Sequence, residues 1–281
     1  MSTREQPHEA RTGPFEIDLA VANISAFAVA TEDPNPLYLT GQAVPPTYLA
    51  SMIYRQQATS MGQLIATDVM DRAVSGVHGQ HEIVLHRTLI PGERLTGFVE
   101  PFSIKPARDN VRVTFRHPAY DEAGDLVAEQ WWTTVLIKTS ADPEGPDLPD
   151  HSFPDLDRTH AVAEDSVRLD AAMVERYAKV TGDYSDHHFD LEAAQRSGME
   201  DVFLHGLCTM ALCARAAVRT VANGDPDLIE RFALRFAQPA YLDRELDVRL
   251  HGVDETTFAL EALCGEAPVV RNGLVVLRSA R

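Results

Sequence analysis

Hydrophobic and polar positions follow two rhythms along this chain, and the order of those rhythms occurs twice. Over RLDAAMVERYAKVTGD, apolar residues fall at Leu169, Met173, Tyr177 and Val180, the spacing that lines one face of a helix. Asp170 fits as its N-cap, and Gly182 stops it. A constant shift of 150 residues carries Leu19, Phe27 and Ala30 of DLAVANISAFAVATED onto Leu169, Tyr177 and Val180. The same shift carries Asp33 onto Asp183 and Tyr38 onto His188. After each polar turn comes a more apolar helix: PPTYLASMIYRQQATSMGQLI, opened by prolines, and LHGLCTMALCARAAVRTV, opened by His205 and Gly206. Both are candidate core helices.

The segments beyond each of these helices alternate as strands do. In the first half they are HEIVLHRTL, RLTGFVEPF, VRVTFRHPAY and LVAEQWWTTVLI, and in the second LIERFALRFAQPAY, ELDVRLHGV, TTFALEAL and VVRNGLVVLR. Sequential strands without crossover helices exclude a Rossmann-type sheet. A helix followed by antiparallel strands, made twice, predicts two α+β domains whose curved sheets wrap around their helices, related by duplication. Residues 140–160 are rich in Pro and Asp with no hydrophobic period, so the expected division is a first domain over 1–139, a linker over 140–160 and a second domain over 161–281. Each domain is long enough to bury a core.

Composition narrows the class of partner. The 281 residues carry a formal net charge of -17, which argues against nucleic acid or an anionic membrane, both of which require clustered Lys and Arg. No run of apolar residues is long enough to span a bilayer. Cys208, Cys213 and Cys264 form no CxxC pair, which fits free thiols in a reducing compartment. The start, MSTREQPHEARTGP, lacks the apolar core of a secretory signal, so a cytoplasmic protein is expected.

The stretch VTGDYSDHHFD places Asp183 and His188 five residues apart in a polar loop after the helix stop. An imidazole can exchange a proton near neutrality, and a carboxylate can orient water or share the proton. The structural alternative is a loop-capping Asp and a packed His. Gly206 tips the balance, because a glycine at the start of an apolar helix lets a substrate approach unpaired N–H groups that hold an oxygen becoming negative. Helix packing is the alternative role for this glycine. Base, acid and oxyanion donor together are what removal of an α-proton beside a thioester carbonyl requires. Two other chemistries can be drawn from the same residues: a metal site from Asp183, His187, His188 and His205, and a thiol nucleophile at Cys208.

The segment VTGDYSDHHFDLEAAQRSGMEDVFLHGLCTMALCARA resembles the signature region of the MaoC-like, R-specific enoyl-thioester hydratases and dehydratases, written GDxNPxH and followed by HG at the central helix. Gly182, Asp183, His188, His205 and Gly206 match it. In the first half ATEDPNPLY, VPPTYL and HEIVLHRTLIPGERL resemble the family's N-terminal domain. The resemblance spans nearly the whole chain and implies a double hotdog, in which His188 is the base at the α-carbon and Asp183 handles the proton and water at the β-oxygen. Gly206 binds the thioester carbonyl, with Ser185 and His205 beside it. It implies a hydro-lyase acting on acyl-CoA or acyl-carrier-protein thioesters, with no metal or redox cofactor, since CoA or phosphopantetheine is part of the substrate. The outer edges of the sheets suggest a homodimer.

The chain departs from the pattern at Ser185 and Asp186, which replace Asn and Pro, and at His187. Loss of Pro loosens the loop, and two ionisable neighbours bear on the pKa of His188. In the first half Tyr38 stands where the base belongs, and a phenol is a poor base at neutrality, so that half is expected to be non-catalytic and to accommodate the acyl chain. Tyr38, Tyr48, Met52, Ile53 and Met61 are candidates to line such a channel. The alternatives to a hydratase or dehydratase are a hotdog thioesterase and a non-catalytic acyl-thioester-binding subunit.

Overall fold

The computed structural model describes residues 11–148 and 160–279; residues 149–159 of the expected linker and most of the polar N-terminal stretch lie outside them. The first half runs β1 (Thr12–Asp18), α1 (Val21–Ala30), α2 (Pro36–Leu39), α3 (Tyr48–Met52), α4 (Tyr54–Leu64), α5 (Thr67–Arg72), β2 (Ser75–Leu85), β3 (Arg94–Ala107), β4 (Asn110–Tyr120) and β5 (Leu126–Ile137). The second runs β6 (Ala163–Arg168), α6 (Ala171–Thr181), α7 (Leu191–Arg196), α8 (Gly206–Thr220), β7 (Ile229–Phe236), β8 (Glu245–Gly252), β9 (Thr257–Cys264) and β10 (Ala267–Leu277).

All strands join one antiparallel sheet in the order β1-β3-β4-β5-β2-β7-β10-β9-β8-β6. Each half contributes five strands in mirrored order, and the halves meet where β2 pairs with β7, from Gln80 opposite Arg235 to Val84 opposite Arg231. This is the double hotdog that the resemblance implied. The edge strands β1 and β6 do not stand out in the sequence, because their exposed polar faces leave few apolar positions to mark a period. The start of β2, SGVHGQ, is likewise without alternation. Its register shifts between His78 and Gln80, and Gly79 lies so close to β5 that a Cβ there would come within 2.6 Å of Val135 Cγ2.

The helices form for local reasons and are held by shared packing. Asp170 caps α6 through a bond from Met173 N at 2.7 Å, a contact that stabilises a helix by about 1 kcal/mol, and Gly182 ends it at φ 76°, a left-handed conformation that costs glycine little. Leu169, Met173 and Tyr177 face inward as the spacing predicts. Almost all of α8 is buried, from Leu207 to Val218. The principal core is common to both halves: Phe27, Tyr48 and Leu49 pack in the same cluster as Tyr177, Met210 and Phe232.

One expected element differs. The proline-opened helix of the first half is not continuous but breaks at Ile53 into α3 and α4. α3 stays in the core, where Tyr48, Leu49 and Ala50 are buried. α4 turns outward with only Gln57 and Ser60 buried, because its polar sequence, YRQQATSMGQL, offers too narrow an apolar stripe to be enclosed.

Candidate active site

The stop at Gly182 turns the chain into a loop that ends in a single 3₁₀ turn over Asp186–His188, closed by the His188 amide donating to the Ser185 carbonyl at 3.0 Å. Within this loop the Asp183 Oδ1 atom accepts from the Ser185 amide at 3.2 Å and from Ser185 Oγ at 2.6 Å. The His188 ring nitrogen Nδ1 lies 2.9 Å from the carbonyl of Phe203. A carbonyl only accepts, so Nδ1 carries the proton and Nε2 keeps its lone pair. The ring lies against His205 at a centroid distance of 3.9 Å and edge-on to Phe203 at 4.7 Å.

Burial pushes the His188 pKa well below 6.5, and the adjacent His205 and His187 add to the shift. Burial thus keeps His188 neutral, and of the departures from the motif His187 adds to that effect. His187 itself stacks on Phe203 at 5.4 Å, and its pKa is lowered by burial against the opposing pull of Asp183 and Asp186.

Gly206 is the first residue of α8, so its N–H has no partner inside the helix. A Cβ there would lie 3.5 Å from Phe236 Cζ and 3.9 Å from His78 Nδ1. Asp183, Ser185, His188 and Gly206 all line one cavity of about 630 Å³. Asp183, His188 and His205 each present a ligand-type atom within 4.8 Å of the others. The sequence-predicted carboxylate, imidazole and glycine thus converge on one space.

The position of His205 needs correcting. It is 1% exposed, and its Nε2 donates to the Asp183 carbonyl at 2.9 Å. It ties the loop to the start of α8 and is not among the residues that line the cavity. Ser185 reaches the cavity, but its hydroxyl proton is committed to Asp183. For a cation, Asp183, His188 and His205 are close enough. However, the two imidazoles overlap at an interplanar angle of 32°, so their in-plane lone pairs run side by side, and His205 spends one nitrogen on the Asp183 carbonyl. The thiol of Cys208 is fully buried and pushed far up by desolvation, which removes it as a nucleophile.

The first half supplies the other cavity wall through Tyr54, Gln57 and Met61 of α4, residues 75–80 of β2, and Trp132 with Val135 of β5. Of the five channel candidates only Met61 stands there. Tyr38, Tyr48 and Ile53 are buried core, and Met52 packs against it. Sequence reasoning missed Tyr54, which hydrogen-bonds Ser185 Oγ at 2.7 Å, and His78, stacked on Trp132 at 4.0 Å. The only trace of His78 in the sequence is its place between two glycines.

With the fold and site in view, comparison with known proteins gives one answer. A family model described as MaoC like domain matches residues 156–271. A 3-hydroxyacyl-thioester dehydratase of Mycobacterium tuberculosis is 26% identical over 233 residues, 81% of this chain and 75% of that protein. The mouse peroxisomal multifunctional enzyme type 2 is 32% identical over 90 residues, 32% of this chain. The chain matches 12% of that longer enzyme. The crystal structure of a MaoC-like dehydratase from Phytophthora capsici superposes with a TM-score of 0.85 at 20% identity, covering 97% of each chain. Residues 156–271 are thus a MaoC-like dehydratase domain.

Proposed function

We propose that the second half carries out R-specific hydration of 2-enoyl thioesters and the reverse dehydration of 3-hydroxyacyl thioesters. Its MaoC-like domain and its similarity to named hydratases and dehydratases make the chain a hydro-lyase of that class; the roles of individual residues are our reading. The observation that carries it is the convergence of Asp183, the unprotonated Nε2 of His188 and the N–H end of α8 at Gly206 on one cavity.

In the dehydration direction, His188 Nε2 takes the α-proton, and the charge that moves onto the thioester oxygen is held by the Gly206 N–H. The bond from Cβ to oxygen then breaks, and Asp183, holding a proton, delivers it to the departing hydroxyl to make water. Passage of the imidazolium proton to the carboxylate, through the water just formed, resets the pair. Hydration runs the same steps backward. Neutral His188 suits the first step, since a charged imidazolium has no lone pair to accept a proton.

The thioester supplies the acidity of the α-proton, so this route uses no metal or redox cofactor, and CoA or phosphopantetheine enters as part of the substrate. Relatives named enoyl-CoA hydratase 2 support acyl-CoA as one carrier. The arm of the cavity walled by Met61, Trp132 and Val135 supports a role for the first half in holding the acyl chain. The buried free thiols support a cytoplasmic setting. Among the described residues no helix is long and apolar enough to cross a membrane.

The test is His188→Ala assayed with crotonyl-CoA by loss of the conjugated thioester absorbance. The expected result is a fall in kcat of about 10²–10⁴, the usual contribution of a general acid or base. Unchanged turnover overturns the mechanism and leaves an acyl-thioester-binding subunit as the better reading.

A further inference from the structure

We propose that Tyr54, from the half that lacks the acid–base pair, positions the carboxylate of Asp183 through Ser185. The inference rests on the reading of Asp183 as a reacting group. It starts from two hydrogen bonds in series: Tyr54 OH to Ser185 Oγ at 2.7 Å, and Ser185 Oγ to Asp183 Oδ1 at 2.6 Å.

The direction of this relay is set by proton counting. Oδ1 already accepts the Ser185 amide and accepts equally well when a proton sits on Oδ2, so the single hydroxyl proton of Ser185 goes to Asp183. Ser185 Oγ then has only lone pairs to offer, and Tyr54 must be the donor. Both Tyr54 and Ser185 spend their one proton on this chain. Together with the Ser185 amide at 3.2 Å, the relay occupies Oδ1 and leaves the second carboxylate oxygen to meet water or the β-hydroxyl.

Two further features place α4 over the loop for this purpose. The break at Ile53 starts α4 afresh at Tyr54 and directs it away from the buried path of α3. The guanidinium of the next residue, Arg55, occupies the space that a side chain at Gly182 would need, so consecutive residues of α4 cover both ends of the Gly182–Ser185 turn. The loop has Asp186 where the family motif has a proline. Proline stiffens a loop through its own ring; here a contact from the other half supplies the constraint. Tyr54 also packs near Trp132, with ring centroids 6.5 Å apart, which steadies its hydroxyl.

The experiment is a double-mutant cycle with Tyr54→Phe, Ser185→Ala and their combination, assayed on crotonyl-CoA with kcat and KM separated. Each single variant is expected to lower kcat by about ten- to a hundredfold with KM within about twofold, since a misplaced reacting group costs that much. The double variant is expected to be no slower than either single one, because both break the same relay. Ser185→Thr, which keeps the hydroxyl, is expected to retain most of the activity. Tyr54→Phe turnover equal to wild type, effects that multiply in the double variant, or a loss confined to KM each overturns the proposal. Hydrogen exchange at the amides of residues 183–189 gives a second readout that needs no turnover: faster exchange in Tyr54→Phe supports the relay, and unchanged exchange overturns it. If wild type turns over no enoyl thioester, the functional reading fails by itself, and the exchange measurement still decides the relay.

Discussion

The two halves of this molecule share strand order, helix placement and an aspartate after the first helix, yet only one of them faces Asp and its partner into a cavity. At Asp183 and His188 the loop opens on a space of about 630 Å³. At the equivalent Asp33 and Tyr38 the side chains are just as deeply buried, but they lie outside that space. Asp33 is spent on the Asn35 amide at 3.1 Å, and Asn35 in turn caps α2 and donates to the Gly224 carbonyl of the other half. Tyr38 is fully enclosed, with its hydroxyl lacking a partner. Burial is therefore not what separates the two copies. The difference is whether the ring at the fifth position beyond the aspartate borders empty space or fills it.

The central helices diverge to match. α8 is continuous and enclosed, and Gly206 at its start lines the cavity. The corresponding segment of the first half breaks at Ile53, which frees α4 to wall the cavity with Met61 and to reach the loop of its twin with Tyr54. The two halves are thus unequal parts, with the first half walling the cavity that holds Asp183 and His188 of the second.

The comparison is broken most sharply by exchanging residues between its two sides. Asp183→Asn is expected to reduce kcat by about 10²–10⁴, whereas Asp33→Asn is expected to leave kcat within about twofold. Activity that depends on Asp33 as strongly as on Asp183 would mean that both halves react. Tyr38→His in a His188→Ala background should rescue nothing, because restoring the residue does not restore a cavity; recovered turnover would refute the enclosed-ring explanation.

A smaller effect is expected at Met61. Met61→Trp adds bulk to the acyl arm, so turnover of long enoyl-CoA substrates should fall by about tenfold or more while crotonyl-CoA is spared. Equal losses at every chain length would place the chain elsewhere.

The smallest effects concern stability. Burial pushes His81 to about 4 and His117 to about 3, against about 6.5 in an unfolded chain. Below pH 6.5 the unfolded chain binds protons that the folded one refuses, so these residues make stability fall as pH drops from about 6.5 toward their folded values and contribute no slope above that range. In His117→Gln the melting temperature should therefore decline less between about pH 7 and pH 5 than in wild type; an unchanged slope would contradict the assignment. Tyr38→Phe, which removes an unpartnered buried hydroxyl, is expected to leave the melting temperature level or slightly raised.

Much of this was legible in the chain itself. The spacing of Leu169, Met173 and Tyr177 fixed α6, Asp170 and Gly182 marked its ends, and the single shift that carries Asp33 onto Asp183 exposed the duplication. Those signals are local, and each residue acts on neighbours a turn or two away. Asp183, His188 and Gly206 were also within reach, since the loop and the helix start lie only some twenty residues apart in one half.

Tertiary structure decided what depends on pairing between distant segments. The edge strands and the glycine-rich start of β2 are ordered by their sheet neighbours and carry little pattern of their own. The role of His205 turned on which carbonyl lay within reach, and the site contributions of Tyr54, His78 and Trp132 arise only because the β2–β7 seam joins the halves into one sheet. A periodic sequence can specify which face of an element is buried, but the occupant of the space beyond that face is chosen by the partner packed against it.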